Sequence, residues 1–227
     1  MVGFPYPKYM NSNNDVDMSA ALLLCSAATA TALGVPRDRW VFPQSGTDCH
    51  EHHFISHRWT FDRTPAIELG GRMALELAGT GLDDVDLIDL YSCFPAAVQL
   101  GAQSLGLPLD RQLTRTGGLP FAGGPWNNYV MHSIATVMRE LRDGVGATGL
   151  VWANGGFTTK HAFGVYSTSF GAMLCMIAKL SRTRSSRLMP GLRGLPEVIT
   201  TMSDPAAASQ VPPPITRESE PMIGHVS

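Results

Sequence analysis

Charge is scarce in this chain, and neither sign dominates. Of its 227 residues 16% are Asp, Glu, Lys or Arg, with 17 basic against 19 acidic groups and a formal net charge of -2. That balance leaves no basic footprint for a nucleic acid and no acidic block for a solvating tail. Cysteine is sparse as well: Cys25, Cys49, Cys93 and Cys175 stand far apart, with no Cys-x-x-Cys pair. The spacing excludes a disulfide framework and points to reduced thiols in a cytoplasm. The most membrane-like run, "AALLLCSAATATALGV", is diluted by Ser and Thr and falls short of the roughly 20 apolar residues a spanning helix needs. Asp15 and Asp17 precede it where a signal peptide carries positive charge. The expectation is a cytoplasmic protein with no membrane span and no nucleic-acid partner. Internal repeats are missing too.

What is present is a globular composition, 44% hydrophobic, enough for one large domain with a core or two small ones. Strand-like and helix-like segments alternate. "AALLLCS" reads as a buried strand followed by a short helix over "AATATALG", and "WVFPQ" as a second strand. Thr64 and Pro65 then fit the N-cap and first position of a helix with apolar Ile67, Met73, Leu75 and Leu77. "DDVDLIDLYS" is a strand, "FPAAVQLGAQSLGL" a helix, and Val130, Ile134, Val137 and Leu141 form one helical stripe. "GATGLVWANGG" and "HAFGVYSTSF" follow as strands with no helix between, a pattern for antiparallel neighbours across "NGGFTTK". Such alternation predicts a layered α/β fold with a mixed, mostly parallel sheet over residues 1–180. Residues 181–227, rich in Pro, Ser and Arg, lack the large apolar side chains to fold alone and read as a disordered tail.

The stretch "RTGGLPFAGGPWNNYVMHS" concentrates Gly117, Gly118, Gly123 and Gly124 with two prolines ahead of a helical pattern. Glycines gather where a backbone turns sharply or approaches a ligand closely. The loop is therefore a candidate site.

Together, "PYPKYMNSNNDVDMSAALLLCS", "DLIDLYSCFPAAVQ", "TGGLPFAGGPWNNYVMHSIA" and "NGGFTTKHAFGVYST" resemble, in order, the C-terminal half of thiolase-superfamily proteins. The likeness is strongest to the sterol-carrier-type and actinobacterial acetyl-CoA acetyltransferase branch, and it covers roughly residues 1–168. It implies a βαβαβαββ half of the thiolase fold, an acyl-CoA ligand, and no permanently bound cofactor beyond the coenzyme A thioester itself. In that family a Gly-Gly…Gly-His-Pro loop brings a histidine to the thioester. Gly124 stands at that position here. The family's Asn-Glu-Ala-Phe or His-Asp-Cys-Phe motif falls on Tyr91-Ser92-Cys93-Phe94, and its Cys-x-Gly base on Ala153-Asn154-Gly155. The N-terminal half that carries the acylated cysteine has no counterpart in the sequence.

On this resemblance Tyr91, Cys93 and His161 are the candidate catalytic residues. Gly117, Gly118, Gly123, Gly124, Asn127, Asn128, Asn154 and Gly155 are the candidates for holding substrate or coenzyme A. Some thiolase-like relatives are retro-aldolases that use tyrosines, which gives Tyr91 or Tyr129 an acid–base role; a core aromatic with a satisfied hydroxyl is the plain alternative for Tyr91. Nothing near Cys93 in sequence lowers its pKa. His132 lies off its helix's apolar stripe and reads as exposed or capping. Cys49, His50, His52, His53 and His57 fit no closed metal-ligand pattern, so no metal is expected, and "DCHEHHFISH" reads as a polar loop over the site's mouth. Two classes of function remain: a CoA-thioester enzyme or a piece of one, acyltransferase or retro-aldolase, completed by a chain supplying the missing half; or a non-catalytic binding partner or gene remnant. A half-fold with uncovered surface also favours a homo-oligomer.

Overall fold

The computed structural model describes residues 4–170, 174–179 and 197–201. The chain enters through a short 3-10 turn (Lys8–Met10) and a segment without regular secondary structure, then forms α1 (Ala27–Ala32), whose N-cap Ser26 accepts from the Thr29 N–H at 3.0 Å. Then follow β1 (Phe42–His50), α2 (Pro65–Ala78), β2 (Leu87–Asp89), α3 (Pro95–Leu105), the short α4 (Leu119–Ala122), α5 (Tyr129–Arg142), β3 (Thr148–Gly155) and β4 (Lys160–Ser167), with β5 (Leu174–Lys179) and β6 (Glu197–Thr201) beyond. The sheet order is β2-β3-β4-β1-β5-β6.

Helices cover the sheet on both sides. Ile88, Leu150, Trp152, Phe163 and Val165 turn to one face and pack with Ile67, Ala74 and Leu75 of α2 and Ala102 of α3. Leu87 and Val151, alternate residues on the same strands, turn to the other and meet Val137 and Leu141 of α5. The result is the layered α/β class expected from the alternation. The sheet is mixed, but parallel pairing is not its majority: β2–β3 and β1–β5 are parallel, while β3–β4, β4–β1 and β5–β6 are antiparallel. The direct β3–β4 hairpin reverses the chain, and β1 then lies against its reversed strand.

Two local readings need correction. "AALLLCS" is not a buried strand: it has no regular secondary structure and joins no sheet among the described residues, with Leu23 100% and Leu24 79% exposed. An apolar run encodes a preference for burial, not the strand that would provide it. The first strand of the expected βαβαβαββ order is thus unformed. "WVFPQ" was the smaller part of its strand, since β1 continues through Ser45, Thr47 and Cys49 to His50. These three residues, spaced by two, donate to the carbonyls of Ala74 (2.6 Å), Gly70 (2.8 Å) and Ala66 (3.0 Å), spaced by four along α2. Strand and helix rise nearly match at those spacings, so buried polar side chains fasten one element to the other. Gly70 permits the close approach, because a Cβ there would stand 2.5 Å from the Cys49 sulfur. The expected domain of residues 1–180 is described through residue 170 and again at 174–179. The expected tail, 181–227, lies outside the described residues apart from Glu197–Thr201. Among the described residues no helix is long and apolar enough to cross a membrane.

Candidate functional site

The carboxyl ends of the parallel pair β2 and β3 open towards the glycine-rich loop, where ligands of α/β sheets gather. Asp89, the last residue of β2, is fully buried. Its carboxylate accepts from the backbone N–H of Arg115 (2.6 Å) and Thr116 (3.3 Å), from the Tyr129 hydroxyl (3.5 Å) and from the Ser133 hydroxyl. One side chain thereby ties the start of the loop and the first turn of α5 to the sheet. Burial pushes the Asp89 pKa up against the opposing pull of these hydrogen bonds, Ser133 first among them.

Tyr91, Ser92 and Cys93 follow after Leu90. Ser92 accepts from the Leu119 N–H at 3.2 Å. Tyr91 is half-buried, its ring edge-on to Tyr129 at 5.3 Å, and burial raises its pKa. Tyr129 is buried, shares a 2.7 Å hydrogen bond with the Thr116 hydroxyl, and has its pKa pushed up by burial and then by Asp89. Cys93 is half-buried with its sulfur 3.9 Å from Asn154 Nδ2, and burial raises its thiol pKa too. Tyr91, Cys93 and Asn154 are therefore brought together, and burial favours the neutral forms of the Tyr91 hydroxyl and the Cys93 thiol.

His161 is not part of that group chemically. It stands across from Asn154 in the β3–β4 register, but its ring is 1% exposed. Trp152 Nε1–H donates to Nδ1 at 3.3 Å, and Nε2–H donates to the Thr158 carbonyl at 3.2 Å. Burial, supported by Arg58 and His50, lowers its pKa to about 4. Such a ring is neutral with both nitrogens engaged. His132, read as exposed or capping, is half-buried on α5, and its Nε2 finds no partner.

The glycines of the loop face the chain's own amino-terminal segment. Gly123 has φ 98°, and a Cβ there would stand 2.5 Å from the Met18 sulfur and 3.2 Å from Val16. A Cβ at Gly124 would collide with the Ser12 hydroxyl and meet Asn14 Oδ1 at 3.0 Å. Backbone bonds fix this strap: Ser12 N–H donates to the Cys93 carbonyl (2.9 Å), Asn13 N–H to Leu119 (3.2 Å) and Gly124 N–H to Asn13 (2.8 Å). Gly117 and Gly118, at φ 90° and 86°, serve the turn itself. Asn127 is exposed, Asn128 takes the N-cap position of α5 without a side-chain cap bond, and Gly155 pairs with Lys160 at the hairpin.

Loop 51–63 reaches the same end of the molecule, since Arg58 donates to the Phe157 carbonyl (2.7 Å) and the Thr159 hydroxyl (2.9 Å) in the β3–β4 turn. Cys49 faces the core, not the loop; burial pushes its thiol up to about 12. Among the described residues no three His, Cys, Asp or Glu are arranged to hold a metal ion. A cavity of about 760 Å³ lies elsewhere, between α2 and the end of α3, with Arg63, Glu68, Arg72 and Glu76 in its wall. Arg72 and Glu76 pair there at 2.9 Å. Sequence reading missed Asp89, Ser92 and Ser12. Only Asp89 left a signal, an acid inside an apolar strand.

Three layers, the β3–β4 hairpin and the glycine loop at the strand ends define a thiolase-like α/β fold. Among the solved structures it is similar to is a monomeric SCP2-thiolase-like protein type 1 from Mycobacterium smegmatis, matched at 41% sequence identity with a TM-score of 0.67. The match covers 74% of this chain and 37% of that one, so the chain spans little more than a third of its neighbour's length. No family model matches the sequence, and no curated protein does.

Proposed function

We propose that the chain binds acyl-CoA thioesters at the carboxyl ends of β2 and β3 and is incomplete as an acyltransferase by itself. The observation that carries this reading is the composition of the site: the glycine loop, Tyr91, Cys93 and Asn154 gather there in a thiolase-like fold. Gly124 and Ala153 occupy the places where the resembling family has its histidine and its basic cysteine. Burial keeps the Cys93 thiol protonated and both ring nitrogens of His161 are engaged, so neither of these two candidates supplies the missing nucleophile or base. The sterol-carrier-type or acetyltransferase kinship, lipid metabolism as the setting and a cytoplasmic location belong to the same proposal.

The test is an assay of the purified chain with acetoacetyl-CoA and free coenzyme A, alongside calorimetric titration of acetyl-CoA. Heat of binding without thioester exchange is the expected result. Clear turnover overturns the claim of incompleteness, and no binding overturns the claim of a thioester ligand. A non-catalytic assembly partner is the second reading, favoured by the exposed Leu23 and Leu24. Its occupant is a second copy of the chain or a polypeptide supplying the remaining thiolase half.

A further inference from the structure

The first turn of the glycine loop is held by side chains that reach it from the end of β2. Asp89 Oδ1 accepts from the N–H of Arg115 (2.6 Å) and of Thr116 (3.3 Å), and Ser92 Oγ accepts from that of Leu119 (3.2 Å). Gly118 N–H donates to the Thr116 hydroxyl at 3.1 Å, Thr116 shares a 2.7 Å bond with the Tyr129 hydroxyl, and Tyr129 donates to Asp89 Oδ2 at 3.5 Å. Ser133 donates to the same oxygen. Arg115 turns its guanidinium to Glu140 at 2.6 Å, which leaves N–H and O–H dipoles to balance the carboxylate. An ionised carboxylate only accepts, so its charge gives the chain one direction. Tyr129 passes its proton towards Asp89 and accepts from Thr116, and the Thr116 oxygen accepts from the loop. Asp89 and Tyr129 are both fully buried, so water is not at hand to replace a reversed link.

We propose that Asp89 is a positioning residue of the acyl-thioester site: its negative charge fixes the first turn of the glycine loop, beside Ser92 and Cys93, in the shape that receives the ligand. The inference rests on the acyl-thioester reading above and deepens it by naming what sets the shape of that site. The contacts of Asp89 divide by destination. Oδ1 and the Tyr129–Thr116 chain lead to the loop, whereas Ser133 leads only to α5. A loop and a helix that hang from one carboxylate by separate bonds can be loosened separately, which distinguishes a role in the site from a role in the fold.

The test titrates acetyl-CoA calorimetrically into the full chain and its variants at neutral pH, with a melting temperature for each. Asp89→Asn keeps the shape of the side chain and an oxygen for the two backbone N–H groups, but it removes the charge and turns donors towards Tyr129 and Ser133. It should weaken binding roughly tenfold, the size of one or two neutral hydrogen bonds. Thr116→Val breaks the chain at its loop end and should weaken binding by a similar factor, while Thr116→Ser should keep the parent's affinity. Ser133→Ala cuts only the link to α5, so it should lower the melting temperature and leave affinity within about twofold of the parent's. Affinity that follows melting temperature across all these variants marks Asp89 as an anchor of the fold alone and overturns the proposal. An Asp89→Asn chain that binds as tightly as the parent overturns it too, and both results leave the acyl-thioester reading standing. A parent that binds no acetyl-CoA removes both readings together. Where Asp89→Asn fails to fold, Tyr129→Phe cuts the same chain between Asp89 and Thr116, and unchanged affinity in that variant is the overturning result.

Discussion

At the scale of single residues, His161 shows how burial can turn a candidate catalyst into part of the scaffold. Trp152 donates to one ring nitrogen and the other donates to Thr158, so the neutral tautomer is built in and the pKa falls to about 4. The unfolded chain binds a proton at this histidine near pH 6.5, its ordinary value. Between those two values the unfolded state therefore holds more protons, and stability falls as pH falls through the window. The expected outcome is a urea midpoint that drops between pH 7 and pH 4.5, with His161→Phe showing a much shallower drop over the same range. A midpoint independent of pH, or a variant with the parent's slope, contradicts the assignment. Cys93 and Tyr91 are governed by the same physics in the opposite sense, since burial raises both and keeps them protonated at neutral pH.

Among the elements, the contact to test is the strap from Ser12 to Met18 lying on the glycine loop. Gly124→Ala places a methyl group against the Ser12 hydroxyl, an overpacking that costs about 1–3 kcal/mol. Ser12→Gly clears that space, so the double variant should recover most of the melting temperature that Gly124→Ala loses; additive losses in the cycle contradict the contact. This strap was invisible in the sequence because Ser12 and Gly124 lie more than a hundred positions apart, and no local pattern links them. What was legible had local causes. Thr64 and Pro65 marked the start of α2, and the stripe through Val137 and Leu141 marked the buried side of α5. β1 was read too short because Ser45, Thr47 and Cys49 look like loop residues until the α2 carbonyls that accept from them are in place. The site was half legible: its glycines, Tyr91, Cys93 and Asn154 stood out, whereas the bonds from Asp89 to the loop and α5 exist only in three dimensions.

For the molecule as a whole, the amino-terminal arm is the feature out of balance with the rest. The three layers bury Trp152, Ile67, Leu150 and Val165 almost completely, while Leu23, Leu24 and Leu33 of the arm are 100%, 79% and 72% exposed. Burying one such side chain stabilises an association by about 1.5–3 kcal/mol. The arm should therefore drive association of the purified chain, with a second copy as the partner available in a homogeneous sample. Leu23→Ser with Leu24→Ser removes apolar area that contributes nothing to the fold of a single chain, so its melting temperature should stay within about 2 °C of the parent's, as for other surface substitutions. Sedimentation equilibrium should show the parent above the single-chain mass and the double variant at it. A parent that sediments as a single chain means the arm finds no partner in its own copies. A variant that melts several degrees lower means instead that the leucines pack inward in solution.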